Sequence, residues 1–452
     1  MSMSADQQAW QAPTAPGALN ARVKVPGSKS LSNRYLVLAA LGQRQVCLEG
    51  LLRSRDTDLM IGALTTLGAL CHVDGDDPSR VEVTPPASGL FTAGGCVDCG
   101  LAGTVMRFAP ALAMLGDGPT RFIGDRQAEA RPMRPLLDGL AQLGAVIEYQ
   151  GEEGHLPFTL YPPQGCKGGR VDIDSSGSSQ FISGLLLLGS RLPQGLIVHH
   201  EGGPVPSLPH IRMTVSDLRQ AGIRVEADEK DGCWRVQAAE GRPYPQLPER
   251  VQVEPDLSNA APFLGAAMVA GGSVSVVGWP ASSTQPGALL PGILSDMGAQ
   301  VDCTDGVGGN KACTVCGSGK VSGLGDYDLS AAGELAPTLA ALLVFADGPT
   351  RLHGIGHLRG HETNRLAALT AEINRVGGRA RELEDGLEIN PVGRDAMHPA
   401  VLESYGDHRM ATFGALLGLG ILGVRVRNIA TTAKTMPDFV GMWAGMLEDG
   451  RG

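Results

Sequence analysis

The chain has 452 residues, enough for two or more domains with cores of their own, and 43% hydrophobic with 19% charged residues is an ordinary globular balance. A net charge of −10 and a pI near 5.5 exclude the basic footprint of a nucleic-acid binder, so any cationic site has to be local. Nine scattered cysteines argue against a disulfide framework and for a reducing cytoplasm.

The opening MSMSADQQAWQAPTAPG has no apolar centre and no leader pattern, so residues 1–16 read as a disordered tail. Next comes PGSKSLSNR, residues 26–34, a polar and basic turn opening the apolar helix YLVLAAL. The phrase LTTLGALCHVD follows, with its Gly at 68, and it returns four times: LAQLGAVIEYQ at Gly144, LRQAGIRVEAD at Gly222, LSDMGAQVDCT at Gly298 and INRVGGRAREL at Gly377. The spacings are 76, 78, 76 and 79, and a sixth unit ends with MWAGMLEDG. Each phrase has apolar positions at helical period, then Gly, then alternation: a helix, a C-cap and a strand.

A second pattern falls half a unit earlier, a polar turn opening an apolar helix. It runs through SKSLSNRYLVLAAL, LAGTVMRFAPALAML, GSSQFISGLLLLG, LSNAAPFLGAAMVA, GELAPTLAALLVF and GDHRMATFGALLGL. Six units with two helices and several strands each are too elaborate for a solenoid and suggest two groups of three. Helix N-termini gathered in one region would attract anions through free N–H groups and dipoles. The longest apolar run, Met410 to Val424, is too short and glycine-rich to span a membrane. Two C-x-x-C pairs, Cys96/Cys99 and Cys313/Cys316, lack a His at ligand spacing and read as structural cysteines.

With PGSKSLSNR, LAGTVMR, ARPMRPL, SSQF, GHETNRL, GDHRM and AKTMPDF in this order, the sequence resembles the 5-enolpyruvylshikimate-3-phosphate synthase family from about residue 22 to 447. The resemblance implies an α/β fold of two domains, each built from three βαβαββ units, with the active site in the cleft between them. The domains would be 1–27 with 255–452, and 28–254. It implies transfer of the enolpyruvyl group of phosphoenolpyruvate to the 5-hydroxyl of shikimate 3-phosphate with release of phosphate, in the shikimate pathway of aromatic amino-acid biosynthesis. Neither metal nor cofactor is implied, the expected state is a monomer without nucleic-acid or membrane partners, and glyphosate is the expected inhibitor at the phosphoenolpyruvate site.

Residue by residue, the family pattern matches Lys29, Ser30, Arg34, Ser178, Ser179, Ser207, Glu334 and His361 to shikimate 3-phosphate. It matches Lys29, Gly103, Arg131, Gln180, Arg365, Arg409 and Lys434 to phosphoenolpyruvate, with Thr104, Arg107 and His408 in support. Lys29 would touch both substrates. Arginine suits carboxylate and phosphate through its planar fork. The chemistry needs a proton delivered to the methylene carbon while the 5-hydroxyl loses one. Glu362 matches the proton donor, Glu334 stands at the acceptor position where many members carry Asp, and Lys29 is the third residue of the implied catalytic set. His361, His210, Leu101 and Asn364 also depart from frequent family residues without removing an essential charge.

Two rivals remain at this stage. The sister transferase acting on UDP-N-acetylglucosamine uses a Cys before its Arg-Pro, and GDRQAEARP has none. A non-catalytic anion binder would gain nothing from two buried acids. A phosphate loop is excluded, because PGSKS lacks the G-x-x-x-x-G-K-[ST] pattern.

Overall fold

The computed structural model describes residues 9–238, 244–303, 311–360 and 362–449. The chain divides into two compact units, Gly27–Val253 and a second made of residues up to Pro26 together with those from Glu254 onward. The chain passes from one unit to the other at 26/27 and again at 253/254.

The repeat glycines do what their spacing requires. Gly68, Gly144, Gly222, Gly298 and Gly377 all adopt left-handed backbone, with φ between +80° and +98°. A residue with a Cβ is strained there, which is why the phrase keeps Gly where each amphipathic helix stops and turns into a strand.

In unit Gly27–Val253 the strands form three four-stranded sheets of one pattern. Cys96–Asp98 runs parallel to Thr120–Ile123, which pairs antiparallel with Phe158–Tyr161 and through it with Val146–Tyr149. The helix Gly103–Ala113 crosses between the first two strands, so the order along the chain is βαβαββ. Gly169–Ile173 begins the next copy, and Arg250–Gln252, arriving at the end of the unit, supplies the first strand of the remaining one beside Val46–Glu49.

The other unit repeats the scheme with one change. Leu19–Val23 lies parallel to Gly272–Val277, so an N-terminal strand completes a sheet of the C-terminal half. In the last copy, Val401–Leu402 runs parallel to Arg425–Val426, and the antiparallel neighbour is Trp10–Gln11. This corrects the expectation of a disordered tail over 1–16 for its described residues, 9–16. Residues 1–8 lie outside the described residues, but Ala12 is 1% exposed, its N–H donates to Val424 O, and Trp10 packs edge-on against Phe439. Two apolar side chains in a polar stretch suffice to pin a strand.

Each unit has its own core around three helices that, past their polar first turns, are apolar and buried on nearly every side: Lys29–Leu41, Gly103–Ala113 and Gln180–Gly189 in one, Leu257–Ala270, Ala336–Leu343 and His408–Gly420 in the other. A helix without a polar face is stable only when enclosed. Leu36, Leu185, Leu339 and Leu416 are fully buried, and truncating any of them to Ala would cost about 2–5 kcal/mol.

Among the described residues no helix is long and apolar enough to cross a membrane. Cys303 and Cys313 form a disulfide across adjacent antiparallel strands, which corrects the reading of Cys313 with Cys316 as two plain cysteines. Cys96 and Cys99 are free, and burial pushes the Cys99 thiol up to about 12, as befits a packing residue.

Candidate active site

In unit Gly27–Val253 the candidate residues sit where the apolar helices begin. Ser28 caps the helix Lys29–Leu41 by accepting from Leu31 N. Lys29 is the first helical residue, and its Nζ lies 3.5 Å from Asp56, an acid the sequence reading did not single out. Arg34, one turn on, is 1% exposed, and its guanidinium donates to Thr214 Oγ1 (2.8 Å), Ser30 O (2.9 Å) and His210 O (2.9 Å). Asn33 Nδ2 donates to Thr104 Oγ1 at 2.9 Å, and Thr214 Oγ1 reaches Ser183 Oγ at 3.0 Å. These buried bonds tie the starts of Lys29–Leu41 and Gly103–Ala113 to the helices bearing Ser183 and Thr214.

Gly103, Arg131 and Gln180 come together there. A Cβ placed on Gly103 would lie 3.1 Å from Gln180 Oε1 and 3.2 Å from Arg131 Nη2. Arg131 is anchored to Leu101 O at 3.3 Å through the backbone, so the Leu at 101 removes no bond that this Arg uses. Arg107 is buried beside them, 5.6 Å over the Phe181 ring, with Nη2 on Pro132 O and no described partner for Nε. Burial first, and then the charge of Arg131, press its guanidinium down to about 9. A buried guanidinium with a second, half-buried cation beside it favours an anion nearby. Ser178 Oγ accepts from Gln180 N, Ser179 precedes that helix, and Ser207 precedes the helix Leu208–Gln220.

The other unit assembles Glu334, Glu362, Arg365, Arg409 and Lys434 into one network. Glu362 Oε2 accepts from Arg365 Nη2 at 3.0 Å, and its Oε1 pairs with Lys434 Nζ. Glu334 Oε2 accepts from Arg409 Nη2 (3.0 Å) and from Ser258 Oγ (3.1 Å). Asp407, fully buried, joins the two halves: it accepts from Arg365 Nε at 2.7 Å and, as N-cap of His408–Gly420, from Arg409 N at 2.8 Å. Burial alone would lower the Arg365 pKa, but the charges of Asp407 and Glu362 outweigh it and raise it, keeping the cation. Asn364, one of the departures, caps the helix Arg365–Arg375 by accepting from Ala367 N. His408 is buried beside Asp407, and His361 lies outside the described residues.

Sequence reasoning missed Asp407, Ser258 and Asp56. The signal for Asp407 was present, since an Asp directly before an apolar helix is a capping residue.

Backbone strain marks the same places. Among the described residues only Ser207, Tyr405 and Asn428 combine a side chain with left-handed φ, at 55°, 54° and 52°. Ser207 is itself a candidate ligand, Tyr405 stands two residues before Asp407, and Asn428 opens the 3-10 turn ending at Lys434. Such residues cost on the order of 1–3 kcal/mol each and persist where the surroundings force them.

The model of the EPSP synthase (3-phosphoshikimate 1-carboxyvinyltransferase) family matches residues 13–443. A 3-phosphoshikimate 1-carboxyvinyltransferase of Bifidobacterium longum (strain DJO10A) is 62% identical over 440 residues, 97% of this chain and 98% of that one. A 2.37 Å structure of EPSP synthase from Acinetobacter baumannii shares the fold with a TM-score of 0.80 at 24% identity, over 96% of each chain. The enolpyruvyl transferase NikO from Streptomyces tendae shares it with a TM-score of 0.70 at 21% identity, over 96% of each chain. A family match over almost the whole length, with a relative this similar, settles the question raised by seven ordered motifs: the chain belongs to the EPSP synthase family.

Proposed function

We propose that this chain transfers the enolpyruvyl group of phosphoenolpyruvate to the 5-hydroxyl of shikimate 3-phosphate, by addition and elimination through a tetrahedral intermediate. The observation that carries the reading is the network in which two carboxylates, Glu334 and Glu362, are each held by cations an incoming anion would claim. Both substrates bring a phosphate and a carboxylate, and charge-assisted bonds from Lys and Arg are the means of holding them.

Phosphoenolpyruvate is assigned to Lys29, Gly103, Arg131, Gln180, Arg365, Arg409 and Lys434. Shikimate 3-phosphate is assigned to Ser30, Arg34, Ser178, Ser179 and Ser207, with Lys29 and Glu334. Glu362 gives a proton to the methylene carbon while the 5-hydroxyl oxygen bonds to the adjacent carbon, and Glu334 takes the hydroxyl proton. In the second step the carbon–oxygen bond to phosphate breaks and Glu362 recovers a proton from the methyl group. The proton held by Glu334 leaves with the phosphate, and the double bond is restored. Glyphosate is assigned to the phosphoenolpyruvate site as a competitive inhibitor.

The test is phosphate release from phosphoenolpyruvate with either shikimate 3-phosphate or UDP-N-acetylglucosamine as acceptor. Release should require shikimate 3-phosphate; release driven by the nucleotide sugar alone would overturn the reading.

A further inference from the structure

We propose that Glu372 and Tyr405 form a positioning latch that sets Arg365 and Arg409 for phosphoenolpyruvate, an inference that rests on the assignment of those two arginines made above. Neither residue belongs to the ion network itself. Glu372 lies two helical turns after Arg365 on the same helix and is fully buried. A buried carboxylate has to be satisfied, and this one is: Oε1 accepts from the Tyr405 hydroxyl at 2.7 Å, and Oε2 from Arg375 Nε at 2.9 Å and Glu403 N at 3.3 Å.

The far end of the latch is a strained turn. Tyr405 and Gly406 both have left-handed φ, 54° and 69°, and Asp407 N closes the turn on Ser404 O at 2.8 Å. A turn with two left-handed central residues favours Asn, Asp or Gly, and a bulky Tyr at the first of them is an outlier that something must hold. What holds it is the hydroxyl on Glu372. Asp407, the last residue of the turn, then offers its carboxylate to the Arg365 side chain and the Arg409 backbone. The helix carrying Arg365 and the turn leading to Arg409 are thus fastened twice, by Glu372 to Tyr405 and by Asp407 to Arg365. The latch fixes the angle at which the second fastening is made, and so the register of the two cations.

Two variants separate positioning from mere support. Tyr405→Phe removes one hydroxyl from a side chain that is 41% exposed and leaves Glu372 two other donors, so the fold should survive. Tyr405→Gly removes the latch and the strain together. Both should raise the KM for phosphoenolpyruvate by about tenfold and leave the KM for shikimate 3-phosphate within about twofold. The melting temperature should fall by no more than a few degrees in either variant, because only one of the donors to Glu372 is lost. A phosphoenolpyruvate KM within twofold of the parent in both variants, or a parallel rise of both KM values with a larger drop in melting temperature, overturns the latch. Arg409→Ala is the companion measurement. If it raises the phosphoenolpyruvate KM while Tyr405→Phe does not, the latch alone falls; if it leaves that KM unchanged, the assignment of Arg409 falls and the latch with it.

Discussion

Asp407 holds Arg365 through two contacts, Nε to Oδ2 at 2.7 Å and Nη2 to Oδ1 at 3.2 Å, and both side chains are closed off from solvent, at 0% and 2% exposure. Breaking a buried pair by neutralising one member leaves the other charge without its partner. Asp407→Asn keeps an oxygen for the helix cap yet removes the charge facing Arg365. It should cost about 3 kcal/mol, the lower end for such a pair because Glu362 still faces the same guanidinium. Urea unfolding measures this, and a loss under about 1 kcal/mol would mean that Glu362 by itself satisfies Arg365.

Much of this arrangement was legible in the chain before its fold. Five glycines at a spacing near 77 announced the repeat, because only a helix that must stop in left-handed backbone keeps Gly so strictly. Lys434, Glu362, Arg365, Arg409 and Glu334 were legible as motif residues and do meet in one network. What escaped was of two kinds. Trp10–Gln11 pairs with a strand more than four hundred residues away, and no local periodicity reports a two-residue strand of that sort. Asp407, Glu372 and Tyr405 act through partners on other elements, so their burial and bonding exist only once the chain is folded.

The acid can be tested directly. Glu362→Gln keeps the size of the side chain and one oxygen that can accept from Lys434 or Arg365, but its amide cannot deliver a proton to carbon. Turnover should fall by roughly 10² or more, the scale of general acid catalysis, with shikimate 3-phosphate binding retained. Calorimetric titration and steady-state rates on one preparation decide it; turnover within a few-fold of the parent would remove Glu362 from the mechanism.

Gly103 leaves room that a methyl group would take. The new Cβ of Gly103→Ala would sit 3.1 Å from Gln180 Oε1 and 3.2 Å from Arg131 Nη2, both far ends of flexible side chains that can yield by a few tenths of an ångström. Folding is therefore spared, and helix propensity at this first position favours Ala by up to about 1 kcal/mol. The displaced groups are those assigned to phosphoenolpyruvate, and an inhibitor longer than the substrate has less room to adjust. Glyphosate inhibition, competitive with phosphoenolpyruvate in the parent, should be lost in the variant, while the phosphoenolpyruvate KM rises by less than the inhibition constant. Equal inhibition of parent and variant would displace Gly103 from that site.

Tyr405 ties stability to alkaline pH with a definite sign. Burial first, then the hydrogen bond to Glu372 and its charge, push the phenol up to about 12 from an ordinary 10.0, with Arg375 opposing. The native state therefore holds this proton more tightly than the unfolded chain. Its contribution is fully present below about pH 10 and is lost as pH rises from 10 through about 12, because there the unfolded chain releases the proton first. The parent should lose stability across that window more steeply than Tyr405→Phe, which has no phenolic proton at this position. Urea unfolding at matched ionic strength between pH 9 and about 11 measures this; parallel stability curves for the two proteins would show that the Tyr405 proton is held no more tightly in the fold than out of it.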